Sequence, residues 1–187
     1  MLSVFLDANI IYSITLTDVM LTLAEHRLFL PLWSQKVLDE ARQAASRTLP
    51  TAMQPAFCRR LAIMNQAFPE SSIEVPEEDC GQYSLPDPND RHVLAAALNG
   101  GADLLMTRNL KDFPQPILEQ YRLRATSPDD FLCWLAEQQT DAVAESLRGL
   151  IRLRRNPPMD VIDLSNRLER SGAVRFAHFV RQGKRQV

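Results

Sequence analysis

Cysteine is scarce in this chain. Only Cys58, Cys80 and Cys133 occur among 187 residues, an odd number, far apart and with no Cys-x-x-Cys pair. Neither a disulfide framework nor a cysteine zinc site is indicated, and a reducing cytoplasm is the expected setting. Histidine is equally sparse: His26, His92 and His178 have no neighbour at ligand spacing, and each is expected to be structural or exposed. Long apolar runs are missing too. The stretch from Met1 to Ala24 is interrupted by Asp7 and Asp18, follows no basic region and precedes no small-residue cleavage site, so neither a signal peptide nor a membrane span is expected. No later run approaches the roughly 20 apolar residues of a spanning helix. There is no internal repeat and no low-complexity segment.

What is present suffices for a core. With 45% hydrophobic residues, the length suits one ordinary domain, or a compact domain with an appended helical piece. The net charge of −2 says nothing about partners, but its distribution does. Residues 1–143 carry 11 Lys/Arg against 19 Asp/Glu, and residues 144–187 carry 10 against 4. An acidic body beside a basic tail suits a cation-binding core next to a phosphate-attracting surface, or simply an Arg-rich helical face.

Short apolar runs alternate with helix-length segments. Ser3 to Leu6 reads as a strand ending at Asp7, followed by a helix with Ile10, Ile11, Ile14, Val19, Leu21 and Leu23. Leu28 to Leu30 reads as a second strand, ended by Pro31, after which Ser34 caps a helix burying Val37, Leu38, Ala41 and Ala45. A helix at 52–68 tolerates Pro55 only in its first turn, and Ile73 to Val75 is a brief strand before an acidic loop from Pro76 to Pro86. Asp87-Pro88-Asn89-Asp90 opens a helix, Gly100-Gly101 closes it, and Leu104 to Met106 forms the next strand. Such alternation predicts an α/β fold with a parallel sheet covered on both faces and a ligand site beyond the C-terminal strand ends. From Ser127-Pro128 onward only helices are predicted, at about 128–138, 140–155, 160–171 and 173–182.

Several polar residues fall at that sheet edge. Asp7 follows the first strand, with Asn9 two residues on; capping the next helix is its other possible job. Glu40 borders the buried face of its helix, whereas Asp39 points about 100° away into solvent. Asp90 sits in a first turn, where capping and dipole interactions explain an acid without any metal, and Asp87 is the better pure cap. Thr107, Asn109 and Asp112 follow the fourth strand. Carboxylates gathered in one crevice raise one another's pKa unless a cation neutralises them, and oxygen-only donors favour Mg²⁺ or Mn²⁺ over zinc.

The order Val4-Phe5-Leu6-Asp7-Ala8-Asn9-Ile10-Ile11, Glu40 in a Ser-capped helix, Asp87-Pro88-Asn89-Asp90-Arg91-His92-Val93-Leu94-Ala95-Ala96-Ala97 and Thr107-Arg108-Asn109-Leu110-Lys111-Asp112-Phe113 resembles the PIN-domain nucleases. It is most similar to the VapC-type toxins of bacterial toxin–antitoxin pairs. The likeness covers residues 1–126 and implies a PIN-like three-layer α/β/α domain with about four to five parallel strands; 127–187 then form a helical C-terminal extension, including Arg-Arg-Asn-Pro-Pro at 154–158. It implies family acid roles for Asp7, Glu40 and Asp90. The fourth place falls to Asn109 or Asp112; Asn109 can offer an amide oxygen but no charge. Metal ligation is expected from Asp7, Asp90 and Asp112, with Asn9, Thr107 and Asn109 in support.

The resemblance further implies a Mg²⁺- or Mn²⁺-dependent endoribonuclease acting on structured RNA such as transfer or ribosomal RNA, leaving 5′-phosphate and 3′-hydroxyl ends. A small antitoxin protein and a homodimeric state are the implied partners. Arg148, Arg152 and Arg155 are candidates for holding RNA phosphates in a salt-dependent way. Two alternatives compete. A haloacid-dehalogenase-like phosphatase also has Asp after its first strand but requires a second acid where this chain has Asn9. A catalytically degraded PIN-like module would bind RNA or protein through its basic helices.

Overall fold

The computed structural model describes residues 1–76, 80–155 and 157–183. Positions 77–79 of the expected acidic loop, Asn156 of the 154–158 run and residues 184–187 of the basic tail lie outside the described residues. The described residues pack as two units.

The first unit, Leu2–Tyr12 with Leu30–Thr126, is built on strands β1 (Ser3–Leu6), β2 (Leu30–Ser34), β3 (Ser72–Ile73), β4 (Leu104–Met106) and β5 (Arg124–Thr126). They form one sheet in the order β3-β2-β1-β4-β5, every pair parallel. This is the PIN-like α/β/α class expected from the sequence. Its helices are α1 (Ala8–Ile11), α3 (Gln35–Thr48), α4 (Gln54–Ala67), α5 (Arg91–Asn99) and α6 (Gln115–Leu118). Strand order reverses at β1: the chain first builds outward through β2 and β3, then returns to lay β4 and β5 on the other side. Open α/β sheets bind ligands beyond the strand ends at such a reversal.

β2 departs from the expected strand, running through Pro31 instead of stopping before it. Proline lacks an N–H and is tolerated in a sheet only where no neighbour requires that donor. Leu30 N–H donates to the Leu2 carbonyl on the β1 side (2.8 Å), while β3 meets β2 only at Trp33 and Ser34. At Pro31 the outer side of β2 is therefore a local edge.

The caps follow the sequence grammar. Ser34 Oγ accepts from Val37 N–H (3.3 Å), and Asp87 accepts from Asn89 N–H (2.9 Å) ahead of a short 3-10 turn at Pro88–Asp90. A β-carbon on Gly100, at the end of α5, would lie 2.9 Å from Ile73 Cγ1 and 3.1 Å from Leu32 Cδ1. Only glycine lets the helix end pack this closely on β2 and β3.

The second unit comprises Met1, Ser13–Phe29 and the described residues from Ser127 onward. It contains α2 (Ile14–Glu25), α7 (Pro128–Gln138), α8 (Thr140–Leu153), α9 (Val161–Arg170) and α10 (Val174–Gly183). Thus α2 packs with the C-terminal helices although it lies early in the sequence. Phe29 and Phe131 meet edge to face at 5.1 Å, and buried Leu164, Leu168, Phe176 and Ala177 fill the α9–α10 interface. A reciprocal capping box between Asp160 and Asp163 starts α9. Among the described residues, no helix is long and apolar enough to cross a membrane.

Candidate active site

β1 and β4 end level with each other, because Leu6 pairs with Met106. Asp7 N–H then donates to the Met106 carbonyl, and Thr107 N–H to the Thr126 carbonyl, both at 3.1 Å. This register sets Asp7 and Thr107 side by side at the strand-order reversal. The Thr107 hydroxyl, fully buried, donates to Asp7 Oδ2 (2.7 Å) and accepts from Asn9 Nδ2 (3.1 Å) and Asn109 N–H (3.0 Å). Asn9 Nδ2 also donates to Asp7 Oδ2 (2.5 Å), and Ala8 N–H to Oδ1 (2.6 Å). Asn9 Oδ1 accepts from Arg108 N–H (3.1 Å), tying the β1 loop to the β4 loop. Asp7 does cap α1, but this lattice does more than a cap requires: it fixes both oxygens of a buried carboxylate.

Asp7, Asn9, Glu40, Asp90 and Asn109 line one cavity of about 320 Å³, together with Tyr12 and Phe113. Asp112 accepts a hydrogen bond from the Asn109 amide, so the two candidates for the fourth place are coupled. Burial pushes the Asp7 carboxyl above its ordinary range, partly offset by its bonds from Thr107 and Ala8; the Glu40 charge adds to the rise and His92 opposes it. Asp90 is pushed up to about 6, first by burial and then by the neighbouring charges of Asp7, Asp87 and Asp112. The acids are thus close enough to repel, which is the condition a cation relieves. Among the described residues, no three His, Cys, Asp or Glu side chains form a ready-made metal cage. Mg²⁺ does not require one, since it keeps several waters and takes only one or two carboxylates plus substrate phosphate. The all-oxygen donor set fits such an ion.

Asp39 pairs with Arg42 and is exposed, leaving Glu40 to face the cavity, as the helical phase predicts. One participant had no sequence signal. His92, expected to be structural or exposed, is buried and sets Nε2 2.7 Å from Glu40 Oε1. Its place two residues after Asp90 on α5 is the only clue, and the partner lies in another helix. Arg148 and Arg152 both pair with Glu145, and Arg155 is exposed and forms an isolated antiparallel bridge with Pro158. They belong to the helical unit, and the cavity is lined by residues of the sheet unit.

A family model described as the PIN domain matches residues 3–111, more than half of the sequence, and the chain belongs to that family. Residues 128–182 match a second model, the VapC50 C-terminal domain, which makes this a VapC-type member with the corresponding helical region. A curated relative, "Putative ribonuclease VapC50" of Mycobacterium tuberculosis, is 39% identical over 69 residues, covering 37% of this chain and 41% of the relative. The aligned segment thus spans less than half of that protein. No solved structure gives a significant match.

Proposed function

We propose that this protein is a divalent-metal-dependent endoribonuclease, the toxin of a type II toxin–antitoxin pair, which cleaves cellular RNA such as transfer or ribosomal RNA in the cytoplasm. The observation that carries the reading is the convergence of Asp7, Glu40 and Asp90 on one cavity at the strand-order reversal of a PIN-family sheet. Residues 1–126 would form the nuclease domain and 127–187 the helical extension.

Asp7, Asp90 and Asp112 would hold Mg²⁺ or Mn²⁺. The chemistry such an ion supplies when bound is acidification of water to a nucleophile and neutralisation of charge on the phosphate. The chain supplies position. Thr107 and Asn9 keep the Asp7 oxygens from rotating, Asn109 aims Asp112, and His92 holds Glu40 at the cavity wall, where its carboxylate can accept a proton from attacking water. Cleavage of the P–O3′ bond would leave 5′-phosphate and 3′-hydroxyl ends. Arg148, Arg152 and Arg155 would lend salt-sensitive attachment to RNA. A small antitoxin protein would block the acidic crevice with a basic side chain, and a second copy of the chain would complete a homodimer.

The test is cleavage of total RNA with Mg²⁺, Mn²⁺ or chelator, with the product ends mapped. Metal-dependent cleavage lost in Asp7→Asn and Asp90→Asn supports the mechanism; equal cleavage by those variants overturns it.

A further inference from the structure

A second cavity, of about 290 Å³, shares Glu40 with the first and is lined by Lys36, Asn89, Arg91 and His92. Its charge is of the opposite kind. Lys36, in the first turn of α3, is exposed, and neither its side chain nor that of Arg91 makes a hydrogen bond or ion pair among the described residues. Arg91 Nε is withdrawn from solvent without an acceptor. His92 is spent on Glu40 through Nε2, and its Nδ1 is likewise buried without a partner. Buried polar atoms left unpaired cost desolvation energy, so native proteins seldom keep them unless something else satisfies them.

We infer that this second cavity is an RNA subsite, in which Lys36 and Arg91 hold a backbone phosphate adjacent to the one that is cut. The inference rests on the nuclease reading of the neighbouring cavity. A guanidinium and an ammonium are the pair suited to a phosphodiester, one by its fork of donors and the other as a point charge. The Asn89 amide adds a neutral donor. Because Glu40 is the wall common to both cavities, a strand whose scissile phosphate lies among the acids must continue past it. A polyanion approaching three carboxylates is repelled, and two unpaired cations one step along the strand offset that repulsion. The subsite therefore orients the RNA as well as binding it.

The experiment compares the full-length wild type with Lys36→Gln, Arg91→Gln and the double variant, using Arg47→Gln on an exposed helix end as control. Binding of a short fluorescein-labelled single-stranded RNA is followed by anisotropy in EDTA over a salt series, and cleavage is followed separately with Mg²⁺. Lys36→Gln should weaken binding about threefold and the double variant about tenfold, with the slope of log affinity against log salt falling by about 0.7 for one lost phosphate contact. KM should rise by similar factors while kcat changes little. Lys36 is exposed, so its variant stays informative even if Arg91→Gln folds poorly. Unchanged affinity and KM in a cleaving protein would overturn the subsite and leave the nuclease reading intact. A fall in kcat at constant KM would also overturn it. RNA binding that depends on Lys36 and Arg91 in a protein that cuts nothing would overturn the nuclease reading and keep the subsite.

Discussion

The two units treat charge differently. In the helical unit, five arginines are matched to acids: Arg148 and Arg152 to Glu145, Arg154 to Asp18, Arg175 to Asp129 and Asp130, and Arg181 to Glu169. In the sheet unit, burial and then neighbouring carboxylates raise the pKa of Asp7 and Asp90, and among the described residues the Lys36 and Arg91 side chains have no ion pair. Exposed matched pairs contribute little to stability and leave little field to attract a ligand. Uncompensated charge at a crevice costs stability and is kept where binding repays it. The basic tail is thus the more conspicuous feature in the sequence, while the imbalance in the sheet unit has the clearer chemical use.

The sharpest way to break this contrast is Asp7→Asn, which should lower RNA cleavage by at least about 100-fold while the fold persists by circular dichroism. Retained cleavage would show that the imbalance is not catalytic. Thr107→Val removes the donor to Asp7 and the acceptor for Asn9 and Asn109; metal affinity by titration calorimetry should fall about tenfold.

Acid should act next. Asp90 is protonated in the folded state below a pH of about 6, well above the ordinary carboxylate range, so metal affinity should decline as pH falls through that value. The stability of the metal-free protein should run the other way. A raised carboxyl pKa means the folded chain binds more protons between the ordinary value and about 6, so stability decreases as pH rises across that window. Asp90→Asn should flatten the trend in thermal melts; an unchanged slope would refute the assignment. Gly100→Ala should cost about 1–3 kcal/mol by crowding Ile73 and Leu32, measured by urea denaturation. The smallest effect should come from Arg152→Ala, whose partner Glu145 remains paired with Arg148: RNA affinity should fall by no more than about twofold.

Much of the sheet unit was legible because its signals are local. Asp7 stands where an apolar strand stops, and Asp90 lies within a capping phrase that sequence alone identifies. What escaped was non-local. β2 continues through Pro31 only because β3 is too short to reach it, a fact about another strand. β5 consists of Arg124, Ala125 and Thr126, which form no apolar run at all. His92 and Lys36 acquire meaning only when α5 and α3 meet across Glu40; on a sequence, each is indistinguishable from an ordinary helix residue. The grouping of α2 with the C-terminal helices was likewise invisible to a linear division of the chain.

The Asp7–Thr107 hydrogen bond joins residues 100 positions apart in the chain. Such contacts form late, since a long loop must close before they repay its entropy. A ribosome that had released only β1 to α5 would expose all of Asp7, Glu40 and Asp90 but no β4 to orient the first of them. Activity should therefore appear abruptly, near the end of synthesis of the sheet unit, rather than accumulate with chain length. On the proposed toxin reading, a restraining partner would have until that moment to bind.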